Sequence, residues 1–379
     1  MPPRAGRELT ESYAVDKSFR ARDMEAMPQA PSPAPPRSIE EAARNPEWIA
    51  HRYDPGHDAV HLLPVSRAVQ RQVTFLTDEY LPSGLDPIVV RRKDAIAAAP
   101  SAAPIHFVFH SAFCCSTLVA RAFDLPGRSM GLKEPVILND IIGWRRRGGQ
   151  GPDMAEVLDN ALRLLARPFG AGERVVVKPS NAVNALLAPI LTLRPDAHAL
   201  LLHAPLRTYL GSIARKGLDG RLWVRTLLLG LLDDKLVDLG FSPRDHLGQT
   251  DLQVAAVGWL AQQALFARVA ERFGRTRIRT IDSATLMADP RAAMAALGQL
   301  FGMPLSEAEL GGIVAGPAFT SHSKSGTSFG ATERAAEEDA GVALHAGEID
   351  KVIVWAQAVA DAAGIRLDGP FPLIEDRDA

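Results

Sequence analysis

The chain has 379 residues, 47% of them hydrophobic and 23% charged, the balance expected of a folded globular protein in water. Its 42 basic residues against 44 acidic ones give a formal net charge of −2, so no global basic field points to nucleic acid or an anionic membrane, and partners have to be argued from local sites. Cys114 and Cys115, the only two cysteines, are adjacent, which argues against a disulfide framework or a zinc site and suits a reducing compartment.

Residues 1–38 are charged and then proline-rich (Pro28, Pro31, Pro33, Pro35, Pro36), with too little apolar content to repay the entropy of ordering, and read as a disordered tail. No apolar leader core is visible there, so a cytoplasmic address is expected. Residues 39–100 read as an appended segment: Ser38 opens a short helix, Trp48, Ile49 and Tyr53 anchor it, and Val60, Leu62, Leu63 and Val65 make a strand. Phe75 and Leu76 then read as a helix or turn, and Asp94 to Pro104 as an Ala/Pro linker.

Residues 101–379 read as the main domain. A buried strand (Ile105, Phe107, Val108, Phe109) runs into the turn from His110 to Thr117 and then a helix (Leu118, Val119, Ala122, Phe123). Such a layout binds anions, because the first N–H groups of a helix lack internal partners and sit at the positive end of its dipole. Ser116 and Thr117 add two hydroxyls. The turn lacks the two glycines and the lysine of a Walker A loop, which disfavours an ordinary ATPase or kinase.

Further strands follow at Ser129–Leu132, Val175–Val177, Ala199–Leu202 and Arg277–Ile281, alternating with helices that include Ile137–Trp144, Met154–Ala166, Ala182–Leu193, Leu206–Arg215, Trp223–Gly240 and Leu252–Phe273. This alternation predicts a three-layer α/β sandwich with a mainly parallel sheet and ligands at the carboxyl ends of its strands. Four such ends are polar, at Ser116/Thr117, Lys133/Glu134, Lys178/Ser180 and His203, and are expected to share one crevice. Arg145-Arg146-Arg147 reads as a solvated loop. The apolar run Thr226–Leu232 is stopped by Asp233, Asp234 and Lys235, far short of a bilayer span. Thr320 to Thr332, rich in hydroxyls and glycine, reads as a lid or a surface loop.

Several segments together resemble the sulfotransferases that use 3′-phosphoadenosine 5′-phosphosulfate. They are Ile281-Asp282 through Asp289-Pro290, with Met294, Leu297, Leu300 and Phe301-Gly302-Met303, and also Lys178-Pro179-Ser180-Asn181, Arg194-Pro195-Asp196-Ala197 and the strand into Ala204-Pro205. The resemblance spans roughly Ile105 to Met303 and implies a P-loop NTPase-like architecture. It implies that Ser116 and Thr117, with the turn residues His110, Ser111, Cys114 and Cys115, hold the 5′-phosphosulfate, that Glu134 is the general base and that Lys178 lies near the sulfuryl group. Ser212 and Arg207 would hold the 3′-phosphate. The loop lysine of the family aligns with Phe113, for which Lys133 or Lys324 is the expected replacement, and its strand-end arginine aligns with His203 or Ala204. Arg215-Lys216-Gly217 is similar to a nucleotide loop of the family but stands elsewhere in the chain. The implied activity is sulfuryl transfer to a hydroxyl or amine of a small molecule or glycan, without a metal. The alternatives are a degenerate nucleotide- or phosphate-binding protein and a metal-dependent phosphotransferase, whose candidate ligand is Asp282.

Overall fold

The computed structural model describes residues 33–149, 152–320, 343 and 345–375. The expected tail up to residue 32 and the lid region after Thr320, with Lys324, lie outside them.

The N-terminal part begins with helix α1 (Ile39–Arg44), capped by the Ser38 hydroxyl. Strands β1 (Trp48–Asp54), β2 (Ala59–Pro64) and β3 (Ile88–Arg91) form an antiparallel sheet in the order β1-β2-β3, with helix α2 (Arg67–Gln72) between β2 and β3. Helix α3 (Arg92–Ala98) takes in the first part of the stretch expected to be a linker, up to Ala98. Its first residue explains why: Arg92 is buried and forks onto the Asp58 carboxylate at 2.6 and 3.0 Å, with Glu156 and Asn160 as further acceptors at 2.9 and 3.1 Å. A tertiary ion pair decides this helix, and an Ala-rich sequence cannot announce one.

The main sheet has five parallel strands in the order β5-β6-β4-β7-β8: β4 (Ile105–His110), β5 (Ser129–Lys133), β6 (Arg174–Lys178), β7 (Ala199–His203) and β8 (Ile278–Asp282). All six residues of β4 are buried, as are all five of β7, which fits strands covered on both faces. Alternation divides the faces. Phe107, Phe109, Val175 and Val177 join one core with the N-terminal part, helix α5 (Ile137–Arg146) and helix α6 (Pro152–Leu165). Val108, Val176, Leu200 and Leu202 join the other, under α4 (Ser116–Ala122), α8 (Leu206–Arg215) and α11 (Asp251–Phe273). This is the expected three-layer α/β sandwich, built around a wholly parallel sheet. The chain leaves β4 towards β5 on one side and later crosses to β7 on the other, so the order reverses at β4 and the crevice of such a sheet lies at its carboxyl end.

Two contacts fix the layers around that strand. Gly131 of β5 lies so close to α4 that a Cβ there would stand 2.0 Å from the Ala120 carbonyl oxygen, so only glycine fits. Arg167 is fully buried and donates to the carbonyls of Leu164, Ala42, Ala43, Asn45 and Trp48 at 2.6–3.3 Å, tying the end of α6 to α1 and β1. A guanidinium with five donors is suited to collecting unpaired carbonyls at helix ends.

Two sequence expectations are corrected. Arg145 and Arg146 are not a solvated loop: they form the last turn of α5 and both grip the buried Asp234 carboxylate, at 3.3 and 2.7 Å. That grip also ends α9 (Gly217–Asp233) before the expected Gly240, with Lys235 turning left-handed beyond it. Asp282 caps α12 (Ser283–Ala288), accepting from Ala284 N, Thr285 N and the Thr285 hydroxyl, and Asp289 caps α13 (Pro290–Leu300). No described helix is long and apolar enough to cross a membrane.

Candidate functional site

The turn after β4 is held from below by its own first residue. His110 Nδ1 accepts from Ala112 N at 3.0 Å, Nε2 pairs with the Pro179 carbonyl at 3.0 Å, and the His110 carbonyl accepts from Asn184 at 2.9 Å. With one ring nitrogen accepting from an N–H and the other facing a carbonyl, the geometry requires the neutral Nε2–H tautomer. Asn184 is oriented in turn by Gln262 of α11, at 3.0 Å. Ser111 donates its N–H to Leu202 O at 3.0 Å, while its hydroxyl accepts from Ala204 N at 3.3 Å. These side chains are pinned inward, so His110, Ser111 and the buried Cys114 have only backbone to offer a ligand from the turn.

Ala112, Phe113 and Cys115 all have left-handed backbone, with φ of 74°, 50° and 65°, and none is glycine. Three such residues in four positions store strain of a kind that persists only where the surroundings dictate it. No side chain caps the start of α4, and Ser116 and Thr117 form its first turn, both buried. Burial pushes the Cys114 thiol up to about 12, and the neighbouring Cys115 adds to this while the Lys178 charge opposes it.

Lys178 ends β6, two residues beyond Val176 and therefore on the α4 face of the sheet. Its side chain is 2% exposed, and its ammonium pairs with the Glu134 carboxylate and lies 4.9 Å from the centre of the Phe75 ring. Glu134, just past β5, takes a left-handed backbone (φ 53°), and its N–H donates to the Lys178 carbonyl at 2.7 Å. The two residues are thus joined through both backbone and side chain. Lys178 also precedes Pro179, whose carbonyl fastens His110, so the ion pair and the turn share a foundation.

The remaining expected residues are placed differently. Lys133 is not in the crevice: its ammonium donates to the carbonyls of Gln70 and Arg71 at the end of α2, at 2.7 and 2.9 Å. Burial lowers its pKa to about 7, with the Arg121 and Arg71 charges acting the same way against Asp124. Arg207 is half exposed and paired with Asp350 at 2.5 Å, so it turns to the final helix, Ala346–Ala363. Ser212 stands five residues on, about 140° around α8, so the two do not share a face. His203 is buried edge-on to Trp259 at 6.2 Å; burial lowers its pKa, against Asp282 and Asp368.

Sequence reasoning gave no place at the site to Phe75, and set Lys216 aside because its segment stands elsewhere in the chain than the family's loop. Phe75, in the N-terminal part, sits beneath Lys178, and the Leu76 N–H beside it donates to the Lys133 carbonyl at 2.7 Å. No signal in the chain pairs Phe75 with a lysine about a hundred residues away. Lys216 lies with its ammonium 5.7 Å from the centre of the Phe113 ring, which packs against Tyr209 and Trp223 at 6.0 and 5.3 Å.

No protein-family model matches the chain, and no curated protein matches it. Among solved structures, the sulfotransferase domain from the curacin biosynthetic pathway is similar to it at 14% identity and a TM-score of 0.41, over 71% of this chain and 100% of that domain. The sulfotransferase domain of the Synechococcus olefin synthase is similar at 13% identity and a TM-score of 0.40, over 71% of this chain and 97% of that one. A sulfotransferase from Mycobacterium avium is similar at 14% identity and a TM-score of 0.39, over 73% and 80% respectively.

Proposed function

We propose that the crevice at the carboxyl ends of β4, β5 and β6 transfers a sulfuryl group from 3′-phosphoadenosine 5′-phosphosulfate to a hydroxyl or amine of a small molecule or glycan. The observation that carries this reading is the Glu134–Lys178 pair: a buried lysine and a carboxylate, 44 residues apart in the chain, meet at adjacent strand ends beside the strained turn.

In the proposed step the turn and the first residues of α4 hold the 5′-phosphosulfate, with the hydroxyls of Ser116 and Thr117 as donors. The acceptor oxygen approaches sulfur opposite the bridging oxygen. Its proton passes to the Glu134 carboxylate, the new S–O bond forms, the bridging S–O bond breaks, and the bisphosphate leaves. Charge grows on the bridging oxygen as that bond lengthens, and positioning plus fixed positive charge supplies most of the catalysis in transfers of this kind. Protonation of Glu134 releases Lys178 from its ion pair at the moment when that charge appears. Phe75 holds the ammonium in the meantime, because an aromatic face stabilises a cation without competing for its proton donors. Lys133 takes no part, since its ammonium is held by two carbonyls of α2 itself.

A second reading, nucleotide binding without transfer, is favoured by Arg207, whose pairing with Asp350 withdraws it from the 3′-phosphate role that the sequence implied. A phosphotransferase that needs Asp282 as metal ligand would first have to uncap α12.

Calorimetric titration with 3′-phosphoadenosine 5′-phosphate, beside ATP with magnesium, tests the reading in wild type and in Ser116→Ala/Thr117→Ala. Binding of the bisphosphate that is lost in the double variant supports the site. A folded protein that binds only ATP would sink it. Bisphosphate binding with no transfer to any hydroxyl or amine acceptor selects the second reading.

A further inference from the structure

We infer that the amino end of the main sheet, opposite the crevice, holds a second binding site, in which Arg174 and His106 bind a small oxyanion of the sulfate or phosphate type. The inference stands apart from the nucleotide reading and does not need it.

Strand register brings the two side chains together. β4 and β6 run parallel with Ile105 beside Val175 and His106 beside Val176, so Arg174, the first residue of β6, lies diagonally from His106. Each stands two residues before a valine of the α4 face, Val108 or Val176, and a step of two along a strand returns to the same face. The end of α13 lies over both. The Phe301 ring stacks on the His106 ring at 5.3 Å and 16°, and a Cβ on Gly302, the next residue, would stand 3.7 Å from Arg174 Nη2. Imidazole and guanidinium therefore lie against consecutive residues of one turn.

Both groups hold a proton donor that the fold does not use. His106 is 4% exposed and its Nδ1 accepts from His198 N at 3.3 Å, which makes Nε2 the protonated nitrogen of a neutral ring. Burial favours that neutral ring by lowering its pKa to about 3, with the His198 and Arg174 charges acting the same way. Neither His106 Nε2 nor Arg174 Nε, both buried, has a hydrogen-bond partner among the described residues. A buried donor without an acceptor is costly, and two of them beside one turn call for a ligand that accepts from both. Since both groups present protons, that ligand is an anion and not a metal ion. A guanidinium offers its N–H groups as a fork that suits two oxygens of one oxyanion, and the imidazole N–H adds a further donor. Entry is from solvent: Arg174 is only half-buried, and Gly302, which is exposed, has no side chain to cover the guanidinium.

The experiment titrates sodium sulfate, and separately sodium phosphate, into the whole chain at an ionic strength held constant with sodium chloride. It follows Tm and the imidazole N–H proton signals of wild type, Arg174→Met, Arg174→Lys, His106→Phe and Ser116→Ala/Thr117→Ala. In wild type Tm should rise to saturation, and one imidazole signal, absent from His106→Phe, should shift with the same midpoint. Arg174→Met should raise that midpoint by about tenfold to a hundredfold, the range of a charge-assisted pair. Arg174→Lys, which keeps the charge but not the fork, should raise it by about threefold to tenfold, and it decides the matter should Arg174→Met not fold. His106→Phe, which keeps the stack on Phe301, should raise the Tm midpoint by about twofold to tenfold. Ser116→Ala/Thr117→Ala should leave the shift of the His106 signal unchanged. A Tm rise that does not saturate and is equal in wild type and both Arg174 variants overturns the inference, because excluded salts stabilise any fold in that way. A saturable response lost in Ser116→Ala/Thr117→Ala and kept in the Arg174 variants overturns it as well, by placing the anion in the crevice.

Discussion

Lys133 and Lys178 stand side by side in register on the parallel strands β5 and β6, both at the carboxyl end and both buried, yet one belongs to the edge of the sheet and the other to its crevice. At the edge, α2 lowers its last carbonyls onto Lys133, and the ammonium is absorbed into the packing of the N-terminal part. Lys178 instead meets a carboxylate held in a left-handed turn and an aromatic ring. A lysine at a strand end is therefore not a site by position. What covers it decides which partner its charge takes.

The largest effect expected on the crevice side is that of Glu134→Gln, which keeps the shape and removes the base. Bisphosphate release from the sulfated donor, followed over a panel of hydroxyl and amine acceptors, should fall by about 100-fold to 10,000-fold with bisphosphate affinity retained. A variant as active as wild type would show that the pair is structural and that the crevice resembles the edge. Lys178→Met should lower the same rate by about 100-fold to 1,000-fold, the cost of removing one fixed charge from the transition state.

On the edge side, Lys133→Met should leave bisphosphate binding intact and change the pH dependence of stability instead. Burial holds the folded-state pKa of Lys133 at about 7 against an ordinary value of 10.5. Between those values the unfolded chain binds the extra proton, so stability rises with pH across that window, by at most about 1.4 kcal/mol per pH unit, and the penalty is fully present below it. Urea unfolding at a series of pH values should show this rise in wild type and its loss in Lys133→Met. Loss of transfer in a folded Lys133→Met protein would break the comparison, because both lysines would then serve the crevice. The smallest expected effect is that of Phe75→Leu, a twofold to fivefold change in the transfer rate through the loss of an aromatic face beneath Lys178.

Much of the framework was legible in the chain. The apolar residues of β4 and the unbroken apolar runs of β6 and β7 declared buried strands, and their alternation with helices declared a parallel sheet. The Asp289-Pro290 step belonged to a segment that carried the resemblance, and Asp289 caps α13. Glu134 and Lys178 were singled out as polar residues at strand ends, and the fold joins them. The errors came where a distant partner intervenes. Asp58 makes a helix of the stretch after Arg92, Asp234 draws Arg145 and Arg146 out of solvent, and α2 claims Lys133.

The sequence by itself determined the strands, most of the helices and the polarity of the strand ends, because periodicity and local capping act over a few residues and are written in consecutive letters. Only the tertiary structure decided which partner each charge takes. It set Lys133 under the carbonyls of α2, Lys178 against Glu134 and Phe75, Arg207 on Asp350 and Lys216 over Phe113. A buried charge takes whichever partner the packing of remote segments brings within about 3 to 6 Å, and a linear chain does not record that distance.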